Sequence, residues 1–216
     1  MSTPPPPTPS VGGTRTRLAP ERRREQLLDL GVRMLGTRTV DELSIELLAE
    51  EAGISRGLLY HYFRSKQEFH RAVVRRAADE VIAVTAPPVD GEPLERLAAS
   101  LEAYVDYVRV NYEGYASLVR GAASGDPVLR EIYEETRDAL TARIFDATGG
   151  AGLPSIGIGD TPAARLMARG WSALTEEVVL SWVQAGRSGD EAAQVSREDL
   201  LALLTAALPG VLEATG

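Results

Sequence analysis

The segment from Ser44 to Lys66 constrains the fold more than any other part of the sequence. Behind Ser44, apolar residues recur at the spacing of one helical face, and Gly53 can supply the left-handed backbone that ends a helix. Ser55 is then placed to cap a second short helix. The run Ser65-Lys66-Gln67-Glu68 has the pattern of a capping box, which predicts a third helix. Two short helices joined by a tight turn are typical of a helix-turn-helix unit.

The second of these helices has the composition expected of a helix that reads DNA. Four of its side chains are predicted to pack inward: Leu58, Leu59, Tyr62 and Phe63. Because such a helix reads bases mainly from its N-terminal residues, Arg56 is the best candidate for a bidentate contact with guanine. We predict DNA contacts from Ser44, Ser55, Arg56, Gly57, Tyr60, His61 and Lys66. The alternatives are capping alone for the two serines and ordinary surface or partly buried positions for His61 and Tyr60.

From Arg23 to about Val74 the sequence resembles the TetR family of one-component bacterial repressors. The resemblance rests on a first helix, the helix pair described above, and the motif L-Y-x-x-F-x-S-K, which here ends at Lys66. It implies an N-terminal three-helix DNA-binding domain and a C-terminal helical domain for ligand binding and dimerisation. Thr39 and Leu43 stand where that family often has glycine and threonine, so neither is predicted to contact DNA.

Charge is distributed unevenly along the 216 residues, although the net charge is −8. Residues 1–76 carry 13 Arg and Lys against 9 Asp and Glu, a balance of +4, and residues 77–216 carry 10 against 22, a balance of −12. A positive field confined to the first part suits a partner made of phosphates. The absence of cysteine excludes disulfides and thiolate zinc sites, and no metal or cofactor is predicted.

The chain is predicted to be all-α and to divide into three parts. Residues 1–19 form a Pro-rich, disordered arm without the apolar segment of a secretory signal. Residues 20–66 form the helix-turn-helix DNA-binding domain, and residues 67–216 form the helical effector-binding and dimerisation domain. Since no run is long enough to span a membrane, the cytoplasm is the expected location.

Helical spacing and proline or glycine breaks predict the individual helices. The first is expected over 20–37, and the helix over 65–84 joins the two domains. The others are expected over 93–108, 112–120, 127–149, 162–185 and 196–208, the last being interrupted at Pro209-Gly210. The glycine-rich run over 149–159 lacks the Gly-Lys-Ser/Thr of a phosphate loop and is predicted to be a connector.

Most aromatic residues outside the DNA-reading segment lie in the second part of the chain. Tyrosine and tryptophan combine an apolar body with a polar tip, which suits a ligand cavity between helices. By analogy with the resembled fold, the predicted ligand-binding residues are Tyr104, Tyr107, Tyr115, Leu118, Met167 and Trp171. The acidic balance of this part favours a neutral or cationic lipophilic ligand over a polyanion. Surface charge need not match the charge of a pocket, so Arg109, Arg120 and Arg169 remain candidates for binding a carboxylate or an acyl thioester.

The last two helices are the most apolar pair in the chain. In the resembled family, the final two helices of two subunits form a four-helix bundle, which implies a homodimer matched to a palindromic operator. The predicted interface residues are Leu174, Val178, Trp182, Leu200, Leu203, Leu204 and Leu208.

These patterns predict a sequence-specific, DNA-binding transcriptional regulator. The favoured form is a repressor released from double-stranded operator DNA by a small lipophilic effector. The alternatives are an activator, a regulator controlled by a protein partner, and an enzyme with a DNA-targeting domain. The enzyme is disfavoured because both histidines, His61 and His70, fall in or beside the DNA-reading segment and no cysteine is present. No catalytic residue is predicted.

Overall fold

The computed structural model describes residues 20–146, 159–188 and 195–213. Within these ranges it contains nine α-helices and no strand, which confirms the all-α prediction. The helices are α1 (Pro20–Leu35), α2 (Ile45–Glu51), α3 (Arg56–Tyr62), α4 (Lys66–Val84), α5 (Pro93–Val110), α6 (Tyr112–Ser124), α7 (Pro127–Asp146), α8 (Pro162–Arg187) and α9 (Arg197–Glu213). The predicted arm over 1–19 and most of the predicted connector over 149–159 lie outside the described residues.

The first hydrophobic core joins α1, α2 and α3 to the first half of α4. Leu48, Leu59 and Phe63 have no exposed surface, so the two short helices are held by side chains from both sides of their turn. The same core continues along α4 through Ala78 and takes in Ile132 of α7. The boundary predicted at residue 66 therefore lies inside a shared core.

Gly31 and Gly114 lie where α1 packs closely against α4 and α6. A Cβ atom on Gly31 would lie 2.7 Å from Cγ2 of Val73 in α4, and one on Gly114 of α6 would lie 2.5 Å from Cβ of Leu35. Only glycine permits these separations without displacement of the neighbouring side chain. Residues 20–62, which carry α1 to α3 and are here called the DNA-reading part after their predicted role, are thus packed against two helices, α4 and α6, rather than against α4 alone.

A second core lies between α5, α8 and α9. Val105, Val179 and Leu208 have no exposed surface, and Nε1 of Trp171 donates a hydrogen bond to the carbonyl oxygen of Leu204 over 3.1 Å. The indole thereby fills apolar space while its polar atom is satisfied. The α6 and α7 pair closes the side that faces α4.

Several helix ends differ from the predicted bounds. α1 ends at residue 35 instead of 37, α5 runs to 110 instead of 108, α6 to 124 instead of 120, and α8 to 187 instead of 185. α9 continues through Pro209 to Glu213, so the predicted interruption was wrong. Leu208 and Leu212 lie one turn apart and are fully buried, and their packing outweighs the single hydrogen bond that proline removes.

Candidate nucleic-acid interface and internal cavity

Two serine caps and one glycine define the turn between α2 and α3. Oγ of Ser44 accepts a hydrogen bond from the backbone N–H of Leu47 over 3.0 Å. Oγ of Ser55 accepts one from the N–H of Leu58 over 3.3 Å. Gly53, between the two helices, has a φ of +62°, a left-handed conformation that favours glycine. These contacts set the residue at which α3 begins.

The outer side of α3 presents one continuous surface. Arg56 and Tyr60 are one helical turn apart, as are Gly57 and His61, and all four are exposed. No atom lies within 4 Å of the position that a Cβ on Gly57 would take. Together with the exposed Ser55, these residues form a single face at the start of α3. The structure therefore brings five of the predicted DNA-binding residues together, with the half-buried Ser44 at the start of α2.

Leu58 departs from the predicted inward set. Its side chain is 39% exposed, whereas Leu59 and Phe63 are completely buried. The inward side of this seven-residue helix is filled by Leu59, Tyr62 and Phe63, which recur at the spacing of one face. Leu58 precedes that face by one residue, or about 100° around the helix. The prediction that Leu58 packs inward was wrong, and its apolar side chain belongs to the outer surface.

Lys66 stands at the N-terminus of α4, beside the loop that precedes α2. Its Nζ donates a hydrogen bond to the carbonyl oxygen of Asp41 over 3.4 Å, and the side chain is exposed. Oγ of Ser65 accepts from the N–H of Glu68, but the Glu68 carboxylate accepts from the N–H of Arg64. Only half of the predicted capping box therefore forms. A neutral carbonyl partner leaves the ammonium charge uncompensated, as a phosphate contact requires.

Other polar groups near this surface form hydrogen bonds within the protein. The N–H of Thr39 donates to the Glu42 carboxylate, and this hydrogen bond holds the pKa of Glu42 below its ordinary value. Leu43 is completely buried. Its carbonyl oxygen lies 2.6 Å from Nε2 of His70, and burial lowers the pKa of that imidazole.

An apolar cavity of about 150 Å³ lies between α4, α5, α7 and α8. One end reaches Leu35 of α1 and Val40 of the following loop, and the other reaches Thr85 and Pro93 at the turn between α4 and α5. Along α4 the lining extends from Val74 to Thr85, which corresponds to about 16 Å of helix. The cavity is therefore narrow and long, and it borders the DNA-reading part directly.

Four helices contribute polar groups to one hydrogen-bonded cluster in the cavity wall. The hydroxyls of Tyr104 and Tyr115 are 3.0 Å apart. The Glu176 carboxylate accepts from Tyr115 over 3.1 Å and from Tyr133 over 2.7 Å. Arg137 donates to the Tyr133 hydroxyl over 3.1 Å. Burial raises the pKa of all three tyrosines, so their hydroxyls stay neutral and can donate.

The cavity contains most of the aromatic residues that the sequence singled out. Five of the six predicted ligand-binding residues line it, namely Tyr104, Tyr107, Tyr115, Leu118 and Trp171. Met167 does not line the cavity, and its side chain is 37% exposed. The buried stripe of α8 runs through Ala164, Ala168 and Trp171, and Met167 falls beside it. The predicted position of Met167 was therefore wrong.

The two arginines that line the cavity are not among those that the sequence suggested. Arg109, Arg120 and Arg169 do not line it. Arg169 is paired with two carboxylates of α7. Arg143 and Arg137 of α7 do line it, and Nη1 of Arg143 donates to Oγ1 of Thr85 over 3.2 Å. Burial lowers the pKa of the Arg143 guanidinium.

A shallow apolar groove crosses the outer surface of α8 and α9. Six of the seven residues predicted for a dimer interface border it, namely Leu174, Val178, Trp182, Leu200, Leu203 and Leu204. The side chains of Leu174 and Leu203 are 49% and 64% exposed. Leu208 is fully buried and lines the internal cavity, because it lies about 140° around α9 from Leu203. The prediction for Leu208 was wrong.

Neither a membrane-spanning helix nor a cluster of metal ligands is found among the described residues. None of the helices in residues 20–146, 159–188 and 195–213 is both long and apolar enough to cross a membrane. Over the same ranges, no three metal-ligating side chains are grouped so that they could hold an ion.

Family models match both halves of the chain. Residues 27–73 match the model described as bacterial regulatory proteins, tetR family. Residues 93–207 match the model described as tetracyclin repressor-like, C-terminal domain. The first match covers the helix-turn-helix unit, and the second covers α5 to α8 and most of α9.

Individual relatives agree with these models. The HTH-type transcriptional activator FasR of Mycolicibacterium smegmatis is 26% identical over 186 residues, which cover 84% of this chain and 82% of FasR. The HTH-type transcriptional repressor KstR2 of the same organism is 34% identical over 90 residues, 39% of this chain and 44% of KstR2. A tetR-family transcriptional regulator from Streptomyces coelicolor has a crystal structure with a TM-score of 0.75 at 29% identity, covering 92% of this chain and 85% of that one. The chain therefore belongs to the TetR family, and it is a DNA-binding transcriptional regulator rather than an enzyme.

Proposed function

We propose that the protein is a homodimeric repressor that binds a palindromic operator in the bacterial cytoplasm and is released by a small lipophilic effector. The observation that carries this proposal is the shared wall of the cavity. Leu35 and Val40 belong to the DNA-reading part, and both line the cavity. A ligand in the cavity therefore contacts the domain that carries α3.

The size of the cavity supports release by displacement of its walls. Its volume of about 150 Å³ is below the roughly 300 to 1,000 Å³ of typical small-molecule sites. Because packed interiors do not deform continuously, a larger ligand selects a conformation in which at least one wall has moved. Since α1 forms part of the wall, such a conformation changes the position of the DNA-reading part.

The outer face of α3 and the start of α4 are proposed to contact DNA. Arg56 lies in the first turn of α3, where a side chain reaches base edges in the major groove. Tyr60 and His61 lie further along the same face, at the level of the phosphates. Lys66 is proposed to bind a phosphate, helped by the N-terminal amides of α4.

The groove on α8 and α9 is proposed to be the dimer interface. It is apolar, with Leu174 and Leu203 exposed at its surface. Gly170 on α8 and Gly210 on α9 have no atom within 4 Å of a Cβ position, so helices of a second copy can approach closely at these points. A twofold dimer of this kind places two α3 helices for two half-sites of one operator.

An operator titration with and without a candidate effector tests the proposed release. We expect a coupling of about 1 to 3 kcal/mol between effector and operator binding, equal in both directions by linkage. Leu118→Trp should fill the cavity and weaken effector binding while sparing operator affinity, because Leu118 lines the cavity. Leu166→Trp is the matched control, since Leu166 is 68% exposed on α8. A compound that stabilises the protein yet leaves operator affinity unchanged would contradict release by that compound.

Activation is the second candidate, because FasR, whose match covers most of the chain, is named an activator. Transcription in vitro from a promoter that contains the operator separates the two functions. Added protein should lower transcript yield if it represses. Higher yield would replace repression with activation.

A further inference from the structure

Three charged residues line the cavity, and two of them compensate each other. Glu176 and Arg137 both contact the hydroxyl oxygen of Tyr133, at 2.7 Å and 3.1 Å. Their opposite charges therefore lie on two sides of one oxygen atom. The third charged residue, Arg143, lies toward the end of α7, beside Thr85. The charged side chains of the lining therefore sum to one net positive charge, and Arg143 is the residue without a compensating charge.

Arg143 lacks an anionic partner among the residues that the structure describes. A guanidinium has five N–H donors, and the contact here is the one to Thr85 Oγ1, an oxygen that already donates to the carbonyl of Val81. Burial lowers the Arg143 pKa, and no carboxylate of the described chain offsets that shift. By contrast, Arg169 and Arg187 on α8 each pair with a carboxylate. A partly desolvated, unpaired guanidinium is a site prepared for an anion.

The shape of the cavity indicates the shape of the remainder of the ligand. Arg143 and Thr85 lie at one end of the cavity, and Leu35 and Val40 lie at the other. The lining between them is mostly apolar and follows about 16 Å of α4, which suits an extended apolar chain.

We propose that the effector is an amphipathic carboxylic acid whose carboxylate binds Arg143 and whose slender apolar chain extends along α4 toward Leu35. This inference rests on the proposed effector-release function and adds the chemical class of the effector. Two buried hydroxyls in the wall, Ser100 Oγ and Thr175 Oγ1, have no hydrogen-bond partner. A hydroxyl or keto group on the apolar chain of the effector would form a hydrogen bond with one of these two hydroxyls, which otherwise has no partner.

Calorimetric titration with three probes of equal chain length tests the proposal: octanoic acid, octan-1-ol and octylamine. In the unaltered protein, octanoic acid should bind about tenfold to a hundredfold more tightly than the alcohol, as expected for a charge-assisted hydrogen bond. The amine should bind most weakly, because it meets a like charge at Arg143. Arg143→Gln should remove the preference for the acid. Arg120→Gln is the matched control, since Arg120 is exposed on α6 and does not line the cavity.

The outcomes separate this inference from the proposed function. Tightest binding by the amine would assign the head group to Glu176 and overturn the proposal. Equal binding of acid and alcohol, absence of acid binding, or an unchanged acid preference in a folded Arg143→Gln protein would also overturn it. Should that variant fail to fold, the comparison of head groups in the unaltered protein decides alone. Acid binding with the expected preference but no effect on operator affinity would refute effector release and leave the assignment of Arg143 standing.

Discussion

The backbone N–H of Val40 donates a hydrogen bond to Oγ of Ser117 over 3.0 Å, and this bond joins the loop after α1 to α6. Val40 also lines the cavity, as do Gly114 and Leu118, which flank Ser117 on α6. This hydrogen bond thus ties the DNA-reading part to the cavity wall, in addition to the packing of Leu35 against Gly114 and the continuation of the chain into α4. Movement of α6 on ligand binding would act on the loop that leads into α2.

Ser117→Ala tests this connection. The substitution leaves the Val40 N–H without its acceptor, so the free energy of unfolding should fall by about 1 to 3 kcal/mol. The coupling between effector and operator should also weaken, because one of the connections between the DNA-reading part and the cavity wall is lost. Urea denaturation measures the first effect, and operator titrations with and without effector measure the second.

Ser124→Ala is the matched control on the same helix. Oγ of Ser124 is exposed and donates only to the carbonyl of Gly121 within α6. This change should alter the free energy of unfolding by no more than about 0.5 kcal/mol and should leave the coupling unchanged. Equal effects of the two substitutions would mean that the bond to Val40 has no special role.

Gly114→Ala should destabilise the protein although alanine favours helices. The new methyl group would lie 2.5 Å from Cβ and 2.9 Å from the carbonyl oxygen of Leu35. Overpacking of this kind costs about 1 to 3 kcal/mol, more than the gain of up to about 1 kcal/mol from helix propensity. Gly57→Ala, at an open position, should keep or raise the melting temperature. Equal melting temperatures for the two variants would show that α1 and α6 are not packed tightly.

Arg56 and Lys66 should affect operator binding in different ways. Arg56→Ala should reduce discrimination at one base pair by about 1 to 3 kcal/mol, because a bidentate base contact is lost. Lys66→Ala should weaken binding to all sequences and lower the salt slope by about one unit. Titrations of matched and mismatched operators at several salt concentrations distinguish these effects. An unchanged base preference in the Arg56 variant would remove Arg56 from the set that reads bases.

The helix-turn-helix unit was predictable because local contacts determine it. Ser44 and Ser55 cap helices by accepting from N–H groups three residues ahead, and the positive φ at Gly53 is a property of one residue. Such features need no knowledge of distant neighbours. The exposure of Arg56 follows from the same local pattern.

The polar end of the cavity was not predictable, because it depends on partners far away in sequence. Arg169 and Arg143 both lie on amphipathic helices, yet Arg169 pairs with carboxylates 31 and 35 residues away, whereas Arg143 has no carboxylate partner among the side chains that the structure describes. The one available signal was that Arg143 follows the cavity residue Leu140 by three positions and so shares its face. Leu208 was assigned to the wrong side of α9 for a related reason. A stripe of leucines extends around α9, and packing against α5 and α8 decides which members remain exposed.

Leu203→Asp should convert the proposed dimer into monomers that stay folded. Leu203 is 64% exposed in the single chain, so a carboxylate there is solvated in the monomer and desolvated without a partner in the dimer. Leu204 is 3% exposed, and Asp at that position would unfold the chain itself. Val89→Asp is the control, because Val89 is 89% exposed in the turn before α5. Sedimentation velocity with far-ultraviolet circular dichroism provides the measurement. An unaltered protein that is monomeric at micromolar concentration would refute the proposed interface.

His70 should make stability depend on pH. Burial is the main cause that lowers the pKa of His70 in the folded protein, and the positive charge of Lys66 lowers it further. The hydrogen bond to the Leu43 carbonyl and the negative charge of Asp41 act in the opposite direction. A histidine whose folded pKa lies below the unfolded value of about 6.5 binds fewer protons in the fold than when unfolded. Its stabilising contribution is therefore complete above about pH 6.5 and is lost as the pH falls toward the folded pKa, by at most about 1.4 kcal/mol per pH unit.

Urea denaturation between neutral pH and about pH 5.5 measures this contribution within the range where histidine titrates. His70→Gln can still donate to the Leu43 carbonyl but does not titrate, so its free energy of unfolding should change less over this range. His61→Gln is the control, because His61 is exposed on the outer face of α3. Parallel curves for the unaltered protein and the His70 variant would assign the pH dependence to other groups, and a smaller loss in the His61 variant than in the His70 variant would reverse the expected roles of the two histidines.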